Sequence, residues 1–344
     1  MGMEYGRKRL TPLELYFDTI GGEIRILHKF EFATINTATE NFSHDNMILV
    51  YGFRYPMYKG RLQNGQGILV SKYESDFPRQ EFKNEVSLLL KFEHENLLQL
   101  LGYSIEGRQV SLVYDFAVYA SLNNLIADRG CTLLDWNRRK KIILAVARVL
   151  VYLHQHDVIL ADVTPGKVLL DESLLPKLSL QISRGLKYNE VKIRHGLYSA
   201  APEVVREGTQ LTTKSDVFSF GVLILETITG CRIYHCIFIL DIWEKWLEGT
   251  CSNLKDPRID ADSSSITRFI HIGLLCIQNN VADRPTMEEV VAMLTNTSSL
   301  ALPIPKASHL TKAKFPYLRI SYLSYTLDNV LQVFVSKVTK VIIL

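Results

Sequence analysis

The sequence predicts an α+β fold of two lobes, a small antiparallel β-sheet with one helix followed by a larger, mainly α-helical lobe. Short apolar runs joined by turn residues occupy residues 44–115, whereas apolar residues recur at helical spacing over residues 118–303. The length of 344 residues also suits two lobes, at roughly 150 residues each. We expect residues 1–28 to form an extension and residues 304–344 a tail of uncertain structure.

A β-hairpin is the clearest element of the small lobe. Asn64-Gly65 separates the apolar runs Met57–Leu62 and Ile68–Tyr73, and this dipeptide favours a type I′ turn because both residues tolerate positive φ. The spacing of apolar residues then predicts a helix over Glu81–Phe92. A short apolar strand, Ser111–Phe116, completes the lobe.

Helices account for the larger lobe. One face of a long helix is marked by four apolar residues at helical spacing, Ile142, Val146, Val149 and Leu153. The segment Ser215–Thr229 is apolar almost all round, so we expect a central buried helix that is capped by Ser215 and ends at Gly230. Two further helices are predicted, over Ile266–Ile277 and after a capping box formed by Thr286 and Glu289.

Composition excludes several classes of function. Lysine and arginine exceed aspartate and glutamate by 39 − 36 = 3, without a long basic block, so nucleic-acid binding is not implied. Cys231, His235 and Cys236 cluster, but no second pair completes a zinc site. The first ten residues lack an apolar signal core, and no run of eighteen apolar residues occurs. We therefore expect a cytoplasmic protein that reaches the plasma membrane only as a peripheral partner of other proteins.

Short motifs spread along the chain point to one family. They occur in the order Tyr58-Lys59-Gly60, Glu81-Phe82-Lys83-Asn84-Glu85-Val86, Leu112-Val113-Tyr114, Ala201-Pro202-Glu203, Ser215-Asp216-Val217-Phe218-Ser219-Phe220-Gly221 and Asp283-Arg284-Pro285-Thr286. Together they resemble the kinase domain of plant receptor-like protein kinases, and within these the cysteine-rich receptor-like group. The resemblance covers about residues 30–305 and implies a bilobal kinase-like domain over residues 29–303.

The resemblance assigns the phosphoryl-transfer positions, and several hold unexpected residues. The catalytic base position is Asp162 and the helix glutamate is Glu85. The strand lysine position holds Ser71, with Lys72 one residue later, so Lys72 should face the other side of the sheet unless a β-bulge turns it. The two metal-ligand positions hold Lys167 and Leu180. No metal site is therefore expected, and magnesium binding is disfavoured.

The nucleotide pocket implied by the resemblance is also altered. The three glycine positions of the phosphate loop hold Val50, Gly52 and Tyr55, and Leu69 replaces a small residue above the base. The remaining pocket positions are Met57, Ser71, Tyr114, Asp115, Phe116, Lys167 and Leu169. ATP is thus a conceivable but disfavoured ligand, and no cofactor is predicted.

The residues that support the fold match the family more closely. The resemblance pairs Glu203 with Arg284 and gives Asp216 the role of bracing the catalytic loop. The activation loop corresponds to residues 180–202, and its hydroxyl residues, Ser199 among them, are candidates for phosphorylation in trans.

Three hypotheses remain open from the sequence. The first is a pseudokinase that acts as a scaffold, decoy or regulator of active receptor-like kinases or immune receptors. The second is a weakly active ATP-dependent serine/threonine kinase that uses Asp162, Glu85 and Lys72. The third is a decaying gene product, which the unusual tail after Lys306 would fit. Enzymatic activity is left undecided, with impairment or loss predicted.

Overall fold

The computed structural model describes residues 27–48, 55–73, 86–107, 109–180, 199–204, 211–231 and 236–296. Its strands are β1 (His28–Lys29), β2 (Met47–Ile48), β3 (Met57–Arg61), β4 (Gly67–Tyr73), β5 (Leu100–Glu106), β6 (Gln109–Tyr114), β7 (Ala120–Ser121), β8 (Val168–Leu170) and β9 (Pro176–Leu178). The first six form one sheet in the order β1-β5-β6-β4-β3-β2, and the last three form a second sheet.

The small lobe is the six-stranded sheet with a short helix, α1 (Phe32–Ala38), on one face. The neighbouring strands pair antiparallel, as predicted, except that the edge strand β1 runs parallel to β5. The lobe also contains a helical segment at residues 86–91, which lies within the predicted Glu81–Phe92 helix. A core on the α1 face joins residues from the helix region to residues of the sheet: Phe30, Ile35, Ile68, Val70 and Val113.

The predicted hairpin is confirmed, but its turn is of a different type. Gly65 has φ of 87°, whereas Asn64 does not adopt positive φ, so the turn is not type I′. The N–H of Gly65 donates to the carbonyl of Leu62, and the N–H of Leu62 donates to the carbonyl of Gln66. This pattern is a three-residue loop with a left-handed glycine, and it keeps β3 and β4 in register.

The larger lobe is mainly helical, as predicted. Its helices are α2 (Leu122–Ala127), α3 (Trp136–His154), α4 (Thr213–Thr229), α6 (Ser263–Cys276) and α7 (Met287–Leu294). The four residues predicted for the core face of α3 are all buried. Helix α4 is buried along most of its length and packs against α3 and α6, so it forms the centre of the lobe.

Helix α4 begins differently from the prediction and ends as predicted. Its cap is Thr212, not Ser215, because Ser215 lies at the third helical position of a capping box with Thr212. The helix ends at Gly230, whose φ of 68° is left-handed. The predicted capping box of Thr286 and Glu289 is confirmed at the start of α7.

A buried charged cluster connects α3 to the loop before α6. Arg139 is fully buried, and its Nη2 lies 2.8 Å from Asp256 Oδ2. Arg258 Nη2 lies 2.6 Å from the same oxygen. Although burial raises the pKa of the Asp256 carboxyl, the hydrogen bonds from Arg258 and Arg139 lower it to about 2. The sequence analysis did not identify this cluster.

Helix α5 (Cys236–Leu247) belongs to a second compact unit, residues 233–251, and the two lobes described above belong to the first. Among the residues with described positions, no helix has the length and apolar character needed to cross a bilayer. The predictions for residues 1–26 and for the tail after Lys306 lie outside the described residues.

Candidate active site

The candidate site is built on the loop between α3 and a 3₁₀ turn, Pro165–Lys167. A fully buried carboxylate on α4 holds the start of this loop. Asp216 Oδ1 accepts the N–H of Ala161 at 2.5 Å, and Oδ2 accepts the N–H of Leu160 at 3.0 Å. His154 Nε2, in the last turn of α3, lies 2.9 Å from Asp216 Oδ2. One carboxylate thus fixes two consecutive residues of the loop and ties them to α3.

Asp162 follows directly and is itself buried, with 2% of its surface exposed. Its Oδ1 accepts a hydrogen bond from the Ser199 hydroxyl at 2.7 Å. Its Oδ2 lies 3.9 Å from Lys167 Nζ, and both of these side chains are about 3% exposed. Each carboxylate oxygen therefore faces a group of the chain itself.

The segment after β9 passes beside the same 3₁₀ turn. The N–H of Ser179 donates to the carbonyl of Lys167 at 2.9 Å, so Ser179 lies beside the turn and Leu180 is the residue that follows it. Leu180 is 3% exposed and has no donor atom in its side chain. The two positions at which the resemblance implies metal ligands are therefore a buried ammonium and a buried isobutyl group.

Strand β4 places Ser71 and Lys72 on opposite faces of the sheet. Ser71 pairs with Met57 on β3 and with Leu112 on β6, and neither ladder shifts register along β4. Lys72 Nζ lies 4.5 Å from the centre of the Phe42 ring, on the face that α1 covers. The pairing of β4 thus contains no bulge that would turn Lys72 to the other face.

The face opposite α1 carries the pocket residues of the sheet. The register places Met57, Ser71, Leu69 and Tyr114 on this face, because directly paired residues share a side. Protein atoms bury the apolar pocket residues to 6% exposure or less: Met57, Leu69, Tyr114, Phe116 and Leu169. Leu69 is fully buried, so its side chain already fills space at the position above the implied base.

The other predicted site residues are distributed as follows. Tyr55 is partly exposed, and its ring centre lies 4.2 Å from that of Tyr73. Asp115 is exposed and accepts a hydrogen bond from Gln66 Nε2 at 2.8 Å. Val50, Gly52 and Glu85 lie outside the described residues.

A second side-chain bond fastens the hairpin to the segment between the lobes. Lys59 Nζ donates to the carbonyl of Tyr119 at 2.6 Å. Lys59 pairs with Leu69 across the hairpin, so it lies on the same face as the pocket residues. Together with the Gln66–Asp115 bond, this contact connects β3 and the hairpin turn to residues 115–119.

Arg284 and Glu203 form an ion pair with two hydrogen bonds. Arg284 Nη1 and Nη2 lie 2.6 and 2.8 Å from the two carboxylate oxygens of Glu203. Arg284 is 1% exposed and also donates to the carbonyls of Gln278 and Lys214. Burial raises the pKa of Glu203, but the hydrogen bonds from Arg284 outweigh it, and the net pKa is below the usual value.

Comparison with known proteins identifies the family. Residues 57–294 match the family model for protein tyrosine and serine/threonine kinases. The chain belongs to the protein kinase family. It is 38% identical to cysteine-rich receptor-like protein kinase 21 of Arabidopsis thaliana over 300 residues, which cover 81% of this chain and 43% of the relative.

Other curated relatives from the same plant lead to the same family. Identity to cysteine-rich receptor-like protein kinase 18 is 38% over 80% of this chain and 45% of the relative. Identity to G-type lectin S-receptor-like serine/threonine-protein kinase SD1-29 is 38% over 80% of this chain and 36% of the relative. The chain thus spans less than half the length of the curated relatives it matches.

The residues at the two positions where the resemblance implies metal ligands do not fit a magnesium ion. Magnesium takes oxygen ligands in an octahedral arrangement. Lys167 offers only a cation, and Leu180 offers no ligand atom. In the described part of the chain, no group of three or more histidine, cysteine, aspartate or glutamate side chains could hold a metal ion.

Two residues of the site were not identified as such from the sequence. His154 carries no motif signal of its own, and only its distance to Asp216 shows its place. The sequence predicts Ser199 only as a candidate for phosphorylation, whereas in the structure it is 3% exposed and hydrogen-bonded to Asp162. Its position near Ala201-Pro202-Glu203 could have suggested closeness to the catalytic loop, but not the partner.

Proposed function

We propose that this chain is a pseudokinase of the plant receptor-like kinase type, a noncatalytic scaffold, decoy or regulator of signalling kinases. The observation that carries the proposal is the surroundings of Asp162. Its two oxygens face Ser199 and Lys167. Leu180 occupies the second position at which the resemblance implies a metal ligand. Phosphoryl transfer depends on a positioned acceptor hydroxyl and on magnesium at the phosphates. This arrangement disfavours both.

The surface to which partners bind is proposed from family membership and not from a contact in this chain. The named relatives are receptor-like kinases. We propose that active receptor-like kinases or immune receptors are the partners, and that any placement at the plasma membrane comes through them. The kinase scaffold around Asp216 and Arg284 supports a folded domain that can present such a surface.

The first test is phosphoryl transfer by the purified chain with magnesium and ATP. We expect incorporation of phosphate at background level, equal to that of Asp162→Asn. Asp157→Asn serves as the matched control, because Asp157 is an exposed aspartate in the turn that follows α3, shortly before Asp162. Magnesium-dependent transfer that Asp162→Asn abolishes and Asp157→Asn keeps would contradict the proposal and favour the weakly active kinase.

The second test is nucleotide binding by thermal unfolding with ATP, in magnesium and in EDTA. A ligand at 100 times its Kd stabilises the folded state by about 2.7 kcal/mol. We expect no shift in either buffer, because Leu69 and its neighbours fill the pocket.

Binding to the kinase domain of an active cysteine-rich receptor-like kinase, compared with an unrelated serine/threonine kinase domain, then tests the partner class.

A further inference from the structure

Lys167 poses a physical question that the loss of a metal ligand does not answer. Lysine is almost never fully buried unless it is paired, because an ammonium loses its hydration inside a protein. Lys167 is nevertheless 2% exposed in the middle of the site. A neutral residue would also remove a metal ligand, without the cost of desolvation. The burial of a positive charge at this position therefore requires an explanation.

The nearest carboxylate supplies that explanation. Asp162 is also buried, and a buried carboxylate without a compensating charge is destabilising. In an ordinary kinase site, divalent cations supply positive charge next to the catalytic loop. Here Lys167 Nζ lies 3.9 Å from Asp162 Oδ2. Lys167 is the last residue of the 3₁₀ turn Pro165–Lys167, which places it five residues after Asp162 in the same loop.

We propose that the Lys167 ammonium is the resident cation of this site and takes the place of the divalent ion. It neutralises Asp162 from one side while Ser199 donates to the other oxygen. The site is then electrostatically complete without metal or nucleotide. This inference rests on the proposed function, since it assumes that the site holds the carboxylate and does not use it for transfer.

Lys167 differs from a residue that only fills the space of a metal ligand. Leu180 also occupies a metal position, but a leucine removes a ligand and adds no charge. Only Lys167 combines the position with the charge that the missing ion would have carried. The consequence is that Lys167 and Asp162 should be energetically coupled, and that magnesium alone should leave the wild-type protein unchanged.

The test is a double-mutant cycle on unfolding in urea, with Lys167→Met, Asp162→Asn and the double variant. We expect a coupling of about tenfold in the unfolding equilibrium constant, within the range for residues in contact. Lys177→Met is the matched control, because Lys177 Nζ donates to the carbonyl of Glu95 and no coupling to Asp162 is expected. A cycle that is additive to within about twofold would overturn the proposal.

A cation titration tests the replacement itself. Lys167→Asn offers an oxygen ligand beside Asp162, whereas Lys167→Met does not. Millimolar manganese chloride, without nucleotide, should raise the unfolding midpoint of Lys167→Asn and leave wild type and Lys167→Met unchanged. An equal response of the three proteins, or none in any, would show that Lys167 is only a structural partner of Asp162.

A labelling experiment keeps the proposal testable if the Lys167 variants do not fold. Acetylation of lysine amines, followed by mass spectrometry, should modify Lys167 faster in Asp162→Asn than in wild type. Ser199→Ala removes the donor at the other oxygen and should leave the rate at Lys167 unchanged. Equal rates in wild type and Asp162→Asn would overturn the proposal. None of these three experiments measures phosphoryl transfer, so their outcomes are independent of the activity test.

Discussion

Asp216 on α4 and Asp162 in the loop after α3 are both buried carboxylates, and their partners differ in kind. Asp216 is held mainly by backbone, through the N–H groups of Leu160 and Ala161. Asp162 is held by side chains, the Ser199 hydroxyl and the Lys167 ammonium. A backbone donor survives any substitution except proline, whereas a side-chain donor depends on the residue type. The two carboxylates therefore respond differently to sequence change.

This difference explains which family residues could be replaced. The resemblance places a histidine and an arginine where this chain has Leu160 and Ala161. The brace to Asp216 uses only the N–H groups of these two residues, so it is unaffected by the loss of their side chains. Ala161 does adopt a left-handed φ of 59°, which costs roughly 1 kcal/mol for a residue with a Cβ. The hydrogen bonds to Asp216 offset that cost.

The largest expected effect comes from exchanging the two carboxylates for amides. Asp216→Asn replaces one acceptor oxygen with an amide NH2 donor that faces backbone N–H donors in a buried site, and we expect a loss of about 3–5 kcal/mol in the free energy of unfolding. Asp162→Asn can still accept from Ser199 but loses its charge opposite Lys167, and we expect a loss of about 1–2 kcal/mol, in line with the tenfold coupling proposed above. Urea unfolding of both variants measures the difference. If Asp162→Asn proves as destabilising as Asp216→Asn, the distinction between the two carboxylates is wrong.

Protonation of a buried histidine should destabilise the packing of α6 against α4 without changing a residue near Asp162. His271 on α6, the helix that packs against α4, is buried, and desolvation lowers its pKa to about 4. The unfolded chain binds this proton near pH 6.5, so stability is complete above pH 6.5 and is lost as the pH falls towards 4. We expect His271 to contribute about 3 kcal/mol to that loss.

Urea unfolding between pH 7 and pH 4 (roughly the window set by these two pKa values) measures this contribution. His271→Gln should flatten the dependence of stability on pH. His44→Gln, at an exposed histidine, is the control and should leave the dependence unchanged. A wild-type protein equally stable at both ends of the window would contradict the burial of a neutral His271.

Local sequence signals predicted the elements of the fold better than the contacts of the site. Apolar spacing identified the helices α3 and α6, and the Asn64-Gly65 dipeptide identified the hairpin, since these signals act within a few residues. The predicted turn type was wrong, because type I′ requires positive φ at both Asn64 and Gly65 and only Gly65 adopts it. The bond between Ser199 and Asp162 spans 37 residues, and no local pattern reports it.

Lys72 shows what alternation along a strand can predict and what it cannot. Period-two geometry predicts that Lys72 and Ser71 face opposite ways, and the unshifted β4 ladders agree with this prediction. The partner of Lys72 was not predictable, because Phe42 lies 30 residues earlier and reaches the sheet through the packing of α1. A lysine that looked like a displaced catalytic residue therefore has a contact of its own.

The smallest expected effect tests that contact and the weak-kinase alternative together. Lys72→Ala removes a cation–π interaction with Phe42 and should lower the free energy of unfolding by about 0.5–1 kcal/mol. Phe42→Leu removes the same cation–π interaction and should lower the free energy of unfolding by a similar amount through this contact. The double variant should lose less free energy of unfolding than the two single variants together, because each change removes the same interaction. Because Lys72 lies on the α1 face, Lys72→Ala should leave ATP-dependent phosphate incorporation as it is in wild type, and adding ATP should change the unfolding temperature of both proteins equally. A selective loss of incorporation would instead place Lys72 at the nucleotide and would restore a catalytic role to the sheet.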